Sequence, residues 1–146
     1  SEELLSHIGD TAPPKEEIVT RRDIRKYSIA TSQRLRKYLD GDEAPPMFHV
    51  SLFWVVVELY QLTPDGVSVN TLLPKFPLEK AMAGGLKIDY HQAIFPGDIL
   101  IAKRTLTAIY EKQGKSGPII FYEIIMEVEN KEGEAVLTEK TTRLLR

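Results

Sequence analysis

The last third of the chain contains three long segments with the pattern of β-strands, separated by connections of only four residues. The segments are DILIAKRTLTAIYEKQ (98–113), PIIFYEIIMEVEN (118–130) and AVLTEKTTRLLR (135–146), and the connections read GKSG and KEGE. The segments are rich in the residues that strands favour, and both connections contain the glycine that a tight turn favours. Connections this short join antiparallel neighbours, because parallel strands require a much longer crossover. The sequence therefore predicts a fold dominated by an antiparallel sheet.

A shorter segment before these strands shows the same period of two. Apolar and polar side chains alternate from Leu86 to His91, and a Pro-Gly-Asp turn at 96–98 separates this segment from the next strand. Strict alternation is typical of a strand with one buried face, since successive side chains of a strand point to opposite faces. This segment is therefore predicted to add a further strand.

The N-terminal half has helical spacing instead. Residues 2–8 predict one or two helical turns, and the two prolines in DTAPPKEE (10–17) predict an extended linker. A longer helix is predicted to begin at Thr20, which can cap it with Asp23 at the third position, and to end at Gly41. The residues at helical spacing along it are apolar or carry a methyl group: Ile24, Tyr27, Thr31, Leu35 and Tyr38.

The opposite face of this predicted helix is strongly cationic. It carries Arg25, Lys26, Arg34, Arg36 and Lys37. We interpret these residues as a solvated helix face, with a phosphate-binding surface as the alternative.

The middle of the chain cannot be assigned from its pattern alone. The stretch HVSLFWVVVELYQL (49–62) has the residues of a strand but the length and apolarity of a buried helix. Residues 63–80 contain three prolines and little periodicity, which predicts a long irregular loop of the kind that is often functional. Early helices followed by a run of strands indicate one α+β domain over residues 1–146, with the sheet wrapped around a central, mostly buried helix.

The composition excludes several classes of protein. Of the 146 residues, 42% are hydrophobic and 27% are charged, with a formal net charge of −2, which is ordinary for a globular domain and gives no reason to expect nucleic acid or an anionic membrane as partner. The chain contains no cysteine, so disulfides and thiolate chemistry are absent. The acidic start SEELLSHIG and the lack of a long apolar run lead us to expect a cytoplasmic protein.

The candidate chemical groups are few. The three histidines, His7, His49 and His91, are too far apart in sequence for a local metal signature, and we expect no metal site. His91 falls on the polar side of its predicted strand, whereas His49 lies between the APPMF motif and the apolar stretch, where it either caps a helix or serves a function. The pair Gly84 and Gly85 predicts a turn or a close approach of another backbone or a ligand.

Three motifs occur in an order that resembles a known family. They are IGDTAPPKEEIVTRRDIRKYSIA (8–30), APPMF (44–48) and AMAGGLKIDYHQAIFPGD (81–98). Their order and spacing are similar to those of the MaoC-like or FAS1-like dehydratase N-terminal domain, a hot-dog fold that also occurs in (R)-specific enoyl-CoA hydratases. The resemblance implies a hot-dog fold and a site for an acyl-CoA thioester between two such domains, with no cofactor.

The sequence departs from this family where catalysis takes place. The family carries Gly-Asp-x-Asn-Pro-x-His after the first helix, but this chain reads IATSQRLRKYLDG (29–41), with Ser32 near the expected aspartate and no histidine. Asp40 and Asp42 follow in the loop without a histidine at motif spacing, and the family's His-Gly-Gly reads Ala83-Gly84-Gly85. A general acid–base pair must lie within hydrogen-bonding reach of the substrate. We therefore expect no catalytic residue in this chain.

The resemblance then implies a substrate-binding subunit of a heteromeric enoyl-CoA hydratase. A separate MaoC-like hot-dog subunit would supply the aspartate and histidine, and the acyl group could be bulky, such as a steroid or bile-acid side chain. The implied substrate-binding residues are Met47, Phe48, His49, Gly84 and Gly85, with Phe53 or Trp54 as further lining or as ordinary core. Two alternatives remain open, which are a self-sufficient homodimeric hydratase or thioesterase that uses His49 or His91, and a non-enzymatic acyl-CoA-binding module.

Overall fold

An antiparallel sheet of five strands dominates the computed structural model, which describes residues 1–64, 72–78 and 80–146. The three predicted C-terminal strands are confirmed as β3 (Ile99–Gly114), β4 (Gly117–Asn130) and β5 (Ala135–Leu145). They form a meander in which β3 pairs with β4 and β4 pairs with β5. In the second turn Gly133 has a φ of 79°, a left-handed conformation that glycine adopts without steric cost.

The two outer strands come from earlier in the chain, so that the sheet order is β1-β3-β4-β5-β2. Strand β2 (Ala81–Tyr90) pairs with β5 and confirms the predicted alternating strand, which begins five residues earlier than expected. Strand β1 (Lys15–Ile18) pairs with β3, so the prediction that residues 10–17 form only a linker is wrong for its last three residues. Proline restricts itself and the residue before it, which leaves Lys15 and its successors free to pair at a sheet edge.

One face of the sheet carries the core. Directly paired residues share a face, and the alternation places Leu100, Met126 and Leu137 on the face that the helices cover. The helical layer contributes Ile24, Phe48 and Phe53, all at most 2% exposed. A second apolar cluster lies at the other end of the same face; it contains Leu72, Leu106, Ile109, Ile120, Tyr122 and Leu145. Each fully buried side chain of this size stabilises the fold by about 1.5–3 kcal/mol.

The predicted long helix is present but interrupted. Helix α1 (Glu2–Leu5) precedes it, and α2 (Arg21–Ala30) begins as predicted, with the Thr20 hydroxyl accepting a hydrogen bond from the Asp23 backbone N–H at 3.1 Å. The continuation to Gly41 is wrong, because α2 ends at Ala30 and α3 covers only Arg36–Leu39.

The cause of the interruption lies in residues 31 and 32. The Thr31 hydroxyl donates to the Tyr27 carbonyl oxygen at 2.8 Å, and Ser32 adopts a left-handed φ of 58°. Short hydroxyl side chains offer the backbone such local alternatives to helical hydrogen bonds.

The central helix is much shorter than the apolar stretch that predicted it. Helix α4 covers Phe48–Leu52, and a 3₁₀ turn follows at Leu59–Gln61. Residues 54–60 expose large apolar side chains: Trp54 by 70%, Val56 by 98%, Leu59 by 86% and Tyr60 by 79%. The α+β class is confirmed, but the buried part of its central helix is limited to the first turn.

The predicted irregular loop at 63–80 is described only in part. Residues 65–71 and 79 lie outside the described residues, and the described residues between 63 and 78 contain no helix or strand, in agreement with the prediction. Among the helices of the described residues, none is long and apolar enough to cross a membrane.

Candidate functional site

The APPMF motif forms the entry to α4 and is fixed by contacts to two other elements. Met47 has a left-handed φ of 70°, and its backbone N–H donates to the hydroxyl of Tyr90, at the end of β2, over 3.0 Å. The left-handed conformation costs a residue with a side chain roughly 1–2 kcal/mol, so the surrounding contacts must hold it. Phe48, 1% exposed, packs edge-on against Tyr27 of α2 with ring centroids 5.6 Å apart. Met47 therefore remains partly accessible, whereas Phe48 belongs to the core.

His49 lies directly behind this entry and is 1% exposed. Its Nε2 lies 3.2 Å from Oε1 of Glu139 in β5, and its ring meets that of Tyr90 edge-on at 6.3 Å. An ionised carboxylate can only accept, so this contact requires Nε2 to carry a proton. Nδ1 is buried and has no hydrogen-bond partner within the residues that the structure describes.

Glu139 belongs to a row of paired residues that crosses four strands. Arg104 of β3 pairs with Met126 of β4, Met126 pairs with Glu139, and Glu139 pairs with Ile88 of β2. Because paired residues share a face, two charged side chains project from the sheet into the layer beneath α4. The Arg104 guanidinium donates to the Phe53 carbonyl oxygen at 3.4 Å. Burial lowers the pKa of Arg104, and the carboxylate of Glu139 partly opposes this shift.

The cluster of buried His49 with partly buried Glu139 and Arg104 contains the chemical groups of a proton-transfer site, but its imidazole has no access to a substrate. An imidazole hydrogen-bonded to a carboxylate is the usual arrangement for general base catalysis. At 1% exposure, however, His49 presents no surface that a thioester could contact. In this conformation the cluster positions α4 on the sheet.

The glycine pair lies inside β2 and not in a turn. Neither glycine has a positive φ, and the register between β2 and β5 shifts at Gly84, where the strand forms a bulge. A Cβ at Gly84 would come within 3.2 Å of the Thr142 carbonyl oxygen, whereas a Cβ at Gly85 would meet no atom of the described residues within 4 Å. The close approach of β5 therefore explains why residue 84 is a glycine, whereas the described residues leave open space around Gly85.

The structure brings the predicted site residues together only in part. Met47, Phe48 and His49 are consecutive, and the first and third contact Tyr90 in β2. Gly85 lies apart from these residues: it is three residues, or about 10 Å, along β2 from Ile88, which pairs with Glu139. Of the two aromatic residues considered as further lining, Phe53 is core at 2% exposure and Trp54 is 70% exposed.

The other two histidines lie at the surface. His91 Nε2 is 3.2 Å from the hydroxyl of Thr138 on an exposed part of the sheet. His7 Nδ1 is 2.9 Å from a carboxylate oxygen of Asp10, with side chains 38% and 52% exposed. Within the described residues, no group of three or more potential ligands is placed to hold a metal ion.

The loop that replaces the expected catalytic motif is held by ion pairs. Asp40 pairs with Arg36 and Asp42 pairs with Arg21. The hydrogen bond from Arg36 holds the pKa of Asp40 below its usual value, which keeps this carboxylate ionised near neutral pH. An ionised, arginine-paired carboxylate at the surface has no proton to donate to a substrate.

Sequence reasoning missed Glu139, Arg104 and Tyr90. A signal was present for the first two: Arg104 interrupts the alternating apolar positions of Leu100, Ala102 and Leu106, and Glu139 follows Leu137 at the same spacing. A charged residue at an apolar position of a strand with period two indicates a partner across the core.

Comparison with known proteins agrees with this architecture. A family model described as the FAS1-like dehydratase domain region matches residues 6–139. No curated protein sequence matches the chain significantly.

Three solved structures share the fold at low sequence identity. The ChsH1–ChsH2 complex from Mycobacterium tuberculosis matches with a TM-score of 0.74 and 17% identity over 99% of this chain and 89% of that chain. The R-hydratase PhaJ1 from Pseudomonas aeruginosa matches with a TM-score of 0.60 and 15% identity over 94% of this chain and 81% of that chain. The 3R-hydroxyacyl-ACP dehydratase complex HadBC from Mycobacterium tuberculosis matches with a TM-score of 0.59 and 17% identity over 94% and 96%.

The match to the family model extends over most of the chain, and the solved structures share its fold. The chain therefore belongs to the FAS1-like dehydratase domain family and has the hot-dog fold of the MaoC-like hydratases.

Proposed function

We propose that this chain is the substrate-binding, catalytically incomplete subunit of a heteromeric enoyl-CoA hydratase. The reaction is the reversible addition of water across the α,β double bond of an acyl-CoA thioester. A second MaoC-like hot-dog subunit supplies the aspartate and histidine that move the protons.

The observation that carries this proposal is the burial of His49, the imidazole that the structure places beside a carboxylate behind the APPMF entry. Within the described residues, histidine contacts a carboxylate at two places, of which His49–Glu139 is buried and His7–Asp10 lies on the exposed N-terminal turn. The residues at the place of the family's catalytic loop are engaged in ion pairs with arginine. A partner must therefore contribute the acid–base chemistry if the complex is a hydratase.

Two of the similar structures support the heteromeric part of the proposal, because the ChsH1–ChsH2 and HadBC structures are complexes. The exposed apolar side chains of residues 54–60 and the outer edge of β2 give such a partner a surface to cover. An exposed apolar surface and the open edge of a sheet are each typical of an interface.

The acyl group enters at Met47 in this proposal. Met47 is partly exposed at the mouth of α4, and the open side of β2 at Gly85 leaves room for the thioester arm or for the partner's backbone. Phe48 and His49 support Met47 from the core without contacting the substrate in this conformation. Because this chain has no catalytic loop, its side of the acyl-binding site between the two subunits can admit a bulky acyl group such as a steroid or bile-acid side chain.

The test is an assay of hydration by the reconstituted complex. The chain and a MaoC-like subunit with an intact aspartate and histidine are purified separately and together, and the loss of the enoyl thioester is followed with crotonyl-CoA and with a steroid side-chain enoyl-CoA. We expect no turnover by the chain alone and a rate with the partner that exceeds the partner's own rate.

The variant His49→Gln distinguishes the alternatives in the same assay. Turnover by the chain alone that His49→Gln abolishes would replace the proposal with a self-sufficient hydratase. Binding of acyl-CoA with no effect on the partner's rate would replace it with a non-enzymatic acyl-CoA-binding module. Retained activity of the complex with His49→Gln supports the proposal, since the catalytic imidazole then belongs to the partner.

A further inference from the structure

The outer face of α2 concentrates positive charge in a chain that is slightly acidic overall. Residues 21–37 contain seven arginine and lysine residues and one acidic residue, Asp23, whereas the whole chain has a formal net charge of −2. The inner face of α2 carries Ile24 and Ser28, both buried, so the cations of this helix point away from the core.

These cations divide into two groups according to their partners. The acidic residues of the loop after α3 pair with Arg21, Arg36 and Lys37. Arg22, Arg25 and Lys26 of α2, together with Arg34 beyond it, have no ion pair within the described part of the chain, and all four are exposed. Of the three on α2, Arg25 has only the longer-range attraction of Asp40, and Arg22 and Lys26 form no ion pair with a described carboxylate.

This arrangement is unfavourable for the helix itself. The N-terminus of a helix favours negative charge, yet the first turn of α2 carries Arg21 and Arg22 against the single acidic residue Asp23. The pairs Arg21–Arg25 and Arg22–Lys26 place like charges four residues apart, a spacing at which they repel. A bound anion would remove both penalties.

The space between these side chains suits an organic anion. A groove of about 530 Å³ is lined by Arg21, Arg22, Arg25, Lys26 and Ile29. Ile29 is 63% exposed and gives one end of the groove an apolar surface, to which the aliphatic stems of the arginines add. Phosphate groups with a flat ring attached match this combination, because the guanidinium groups bind phosphate and the apolar end covers the ring.

We propose that the outer face of α2 binds the 3′-phospho-ADP end of a CoA thioester. Arg22, Arg25 and Lys26 bind the phosphate groups, and Ile29 packs against the adenine ring. The choice of CoA among polyphosphate ligands rests on the proposed function. The position is suitable, since the Tyr27–Phe48 ring contact packs the other side of α2 on α4, one helix diameter (about 10 Å) from the APPMF entry.

The test measures binding without catalysis, so that it stands apart from the hydration assay. The purified chain is titrated with CoA, dephospho-CoA and 3′,5′-ADP, and both the dissociation constant and the thermal midpoint are recorded. We expect CoA and 3′,5′-ADP to raise the midpoint and dephospho-CoA to bind more weakly. The affinity should fall as salt is added, because the site is exposed.

The double variant Arg22→Gln/Lys26→Gln should lower the affinity for CoA at least tenfold. Glutamine has nearly the same helix propensity as arginine and lysine, so the unliganded variant should melt at the wild-type temperature or slightly above it. The matched control Lys103→Gln/Lys115→Gln removes two exposed positive charges from β3 and its turn and should leave the affinity unchanged.

Equal affinities of the wild type and the α2 variant would overturn the proposal, as would an equal loss in the control. The proposal would also be overturned if the α2 variant bound CoA like the wild type but its complex lost activity on a carrier-protein-linked substrate. That result would identify α2 as a protein-docking surface. Binding of CoA that the α2 variant loses, in a complex that shows no hydration, would leave this inference standing while the proposed function fails.

Discussion

His49 and Glu139 are separated by 90 positions in the sequence, and their contact ties α4 to the centre of β5. Both side chains are withdrawn from water, with exposures of 1% and 13%. A buried polar group that loses its partner keeps the cost of its desolvation, whereas removal of both partners removes that cost as well. The interaction energy of the pair should therefore appear as the difference between the stability loss of the double variant and the sum of the losses of the two single variants.

Each of His49→Leu and Glu139→Leu should lower the free energy of unfolding by about 1–3 kcal/mol. The double variant should cost clearly less than the sum of the two, which urea denaturation of all four proteins can measure. His91→Leu is the control, because that exposed side chain should change the stability by less than about 0.5 kcal/mol. Additive losses would mean that the two residues do not interact.

The glycine pair offers a second comparison at the scale of one residue. Gly84→Val places a branched side chain against the Thr142 carbonyl oxygen and should lower the free energy of unfolding by about 1–3 kcal/mol. Gly85→Val meets open space and should leave the thermal midpoint nearly unchanged, because valine suits a strand.

In the reconstituted complex, Gly85→Val should instead raise the Michaelis constant for the thioester. The two measurements belong on the same preparation. A large drop in the midpoint for Gly85→Val with an unchanged Michaelis constant would assign this glycine to the strand alone.

At the scale of elements, the sequence predicts what local pattern determines. The turns GKSG and KEGE and the alternation between them give three strands nearly to the residue, and Thr20 gives the start of α2. Strand β1 has only four residues, and its pairing with β3 depends on the finished sheet, so no local pattern reveals it. The length of α4 could not be predicted from the apolar stretch 49–62 either, because which of its residues are buried depends on the strands that pack against them.

The candidate site shows the same division. The APPMF motif and its histidine could be identified from the sequence, but the partner of His49 comes from a strand 90 residues away. Register alone brings Glu139 beneath α4, and register is a property of the assembled sheet. Residue types therefore identified the APPMF motif and His49 as candidates, whereas Glu139 and the burial of His49 depend on the assembled sheet.

The break between α2 and α3 gives a prediction at this scale. Ser32 has a φ of 58°, where glycine has no steric penalty and a β-branched residue has a severe one. Ser32→Val should lower the free energy of unfolding by about 1–2 kcal/mol, whereas Ser32→Gly should lie within about 0.5 kcal/mol of the wild type. If both variants melt with the wild type, the left-handed turn is not required by the fold.

For the whole molecule, the important feature is an apolar surface that the described residues leave uncovered. Residues 54–60 expose five large apolar side chains, and β2 is an edge strand whose residues are mostly exposed. A family member with this surface is expected to exist as part of an assembly, since exposed patches of this kind mark interfaces.

We expect light scattering to show that the chain is not a stable monomer, alone or with its catalytic partner, at micromolar concentration. Val56→Asp/Leu59→Asp should weaken the association at least tenfold while the unfolding midpoint of the chain stays the same, because both side chains are exposed. Leu5→Asp, on the exposed helix α1, is the control and should not affect association. A monomer under both conditions would contradict the expectation.

The order β1-β3-β4-β5-β2 also has a consequence for how the chain folds during synthesis. Both outer strands leave the ribosome before the three inner strands to which they must pair. The meander from Ile99 to Leu145 can form from local contacts, whereas residues 1–90 must wait for it, with the apolar stretch 49–62 unprotected. Synthesis rate and chaperone supply should therefore influence the yield of this chain more than the stability of its finished sheet does.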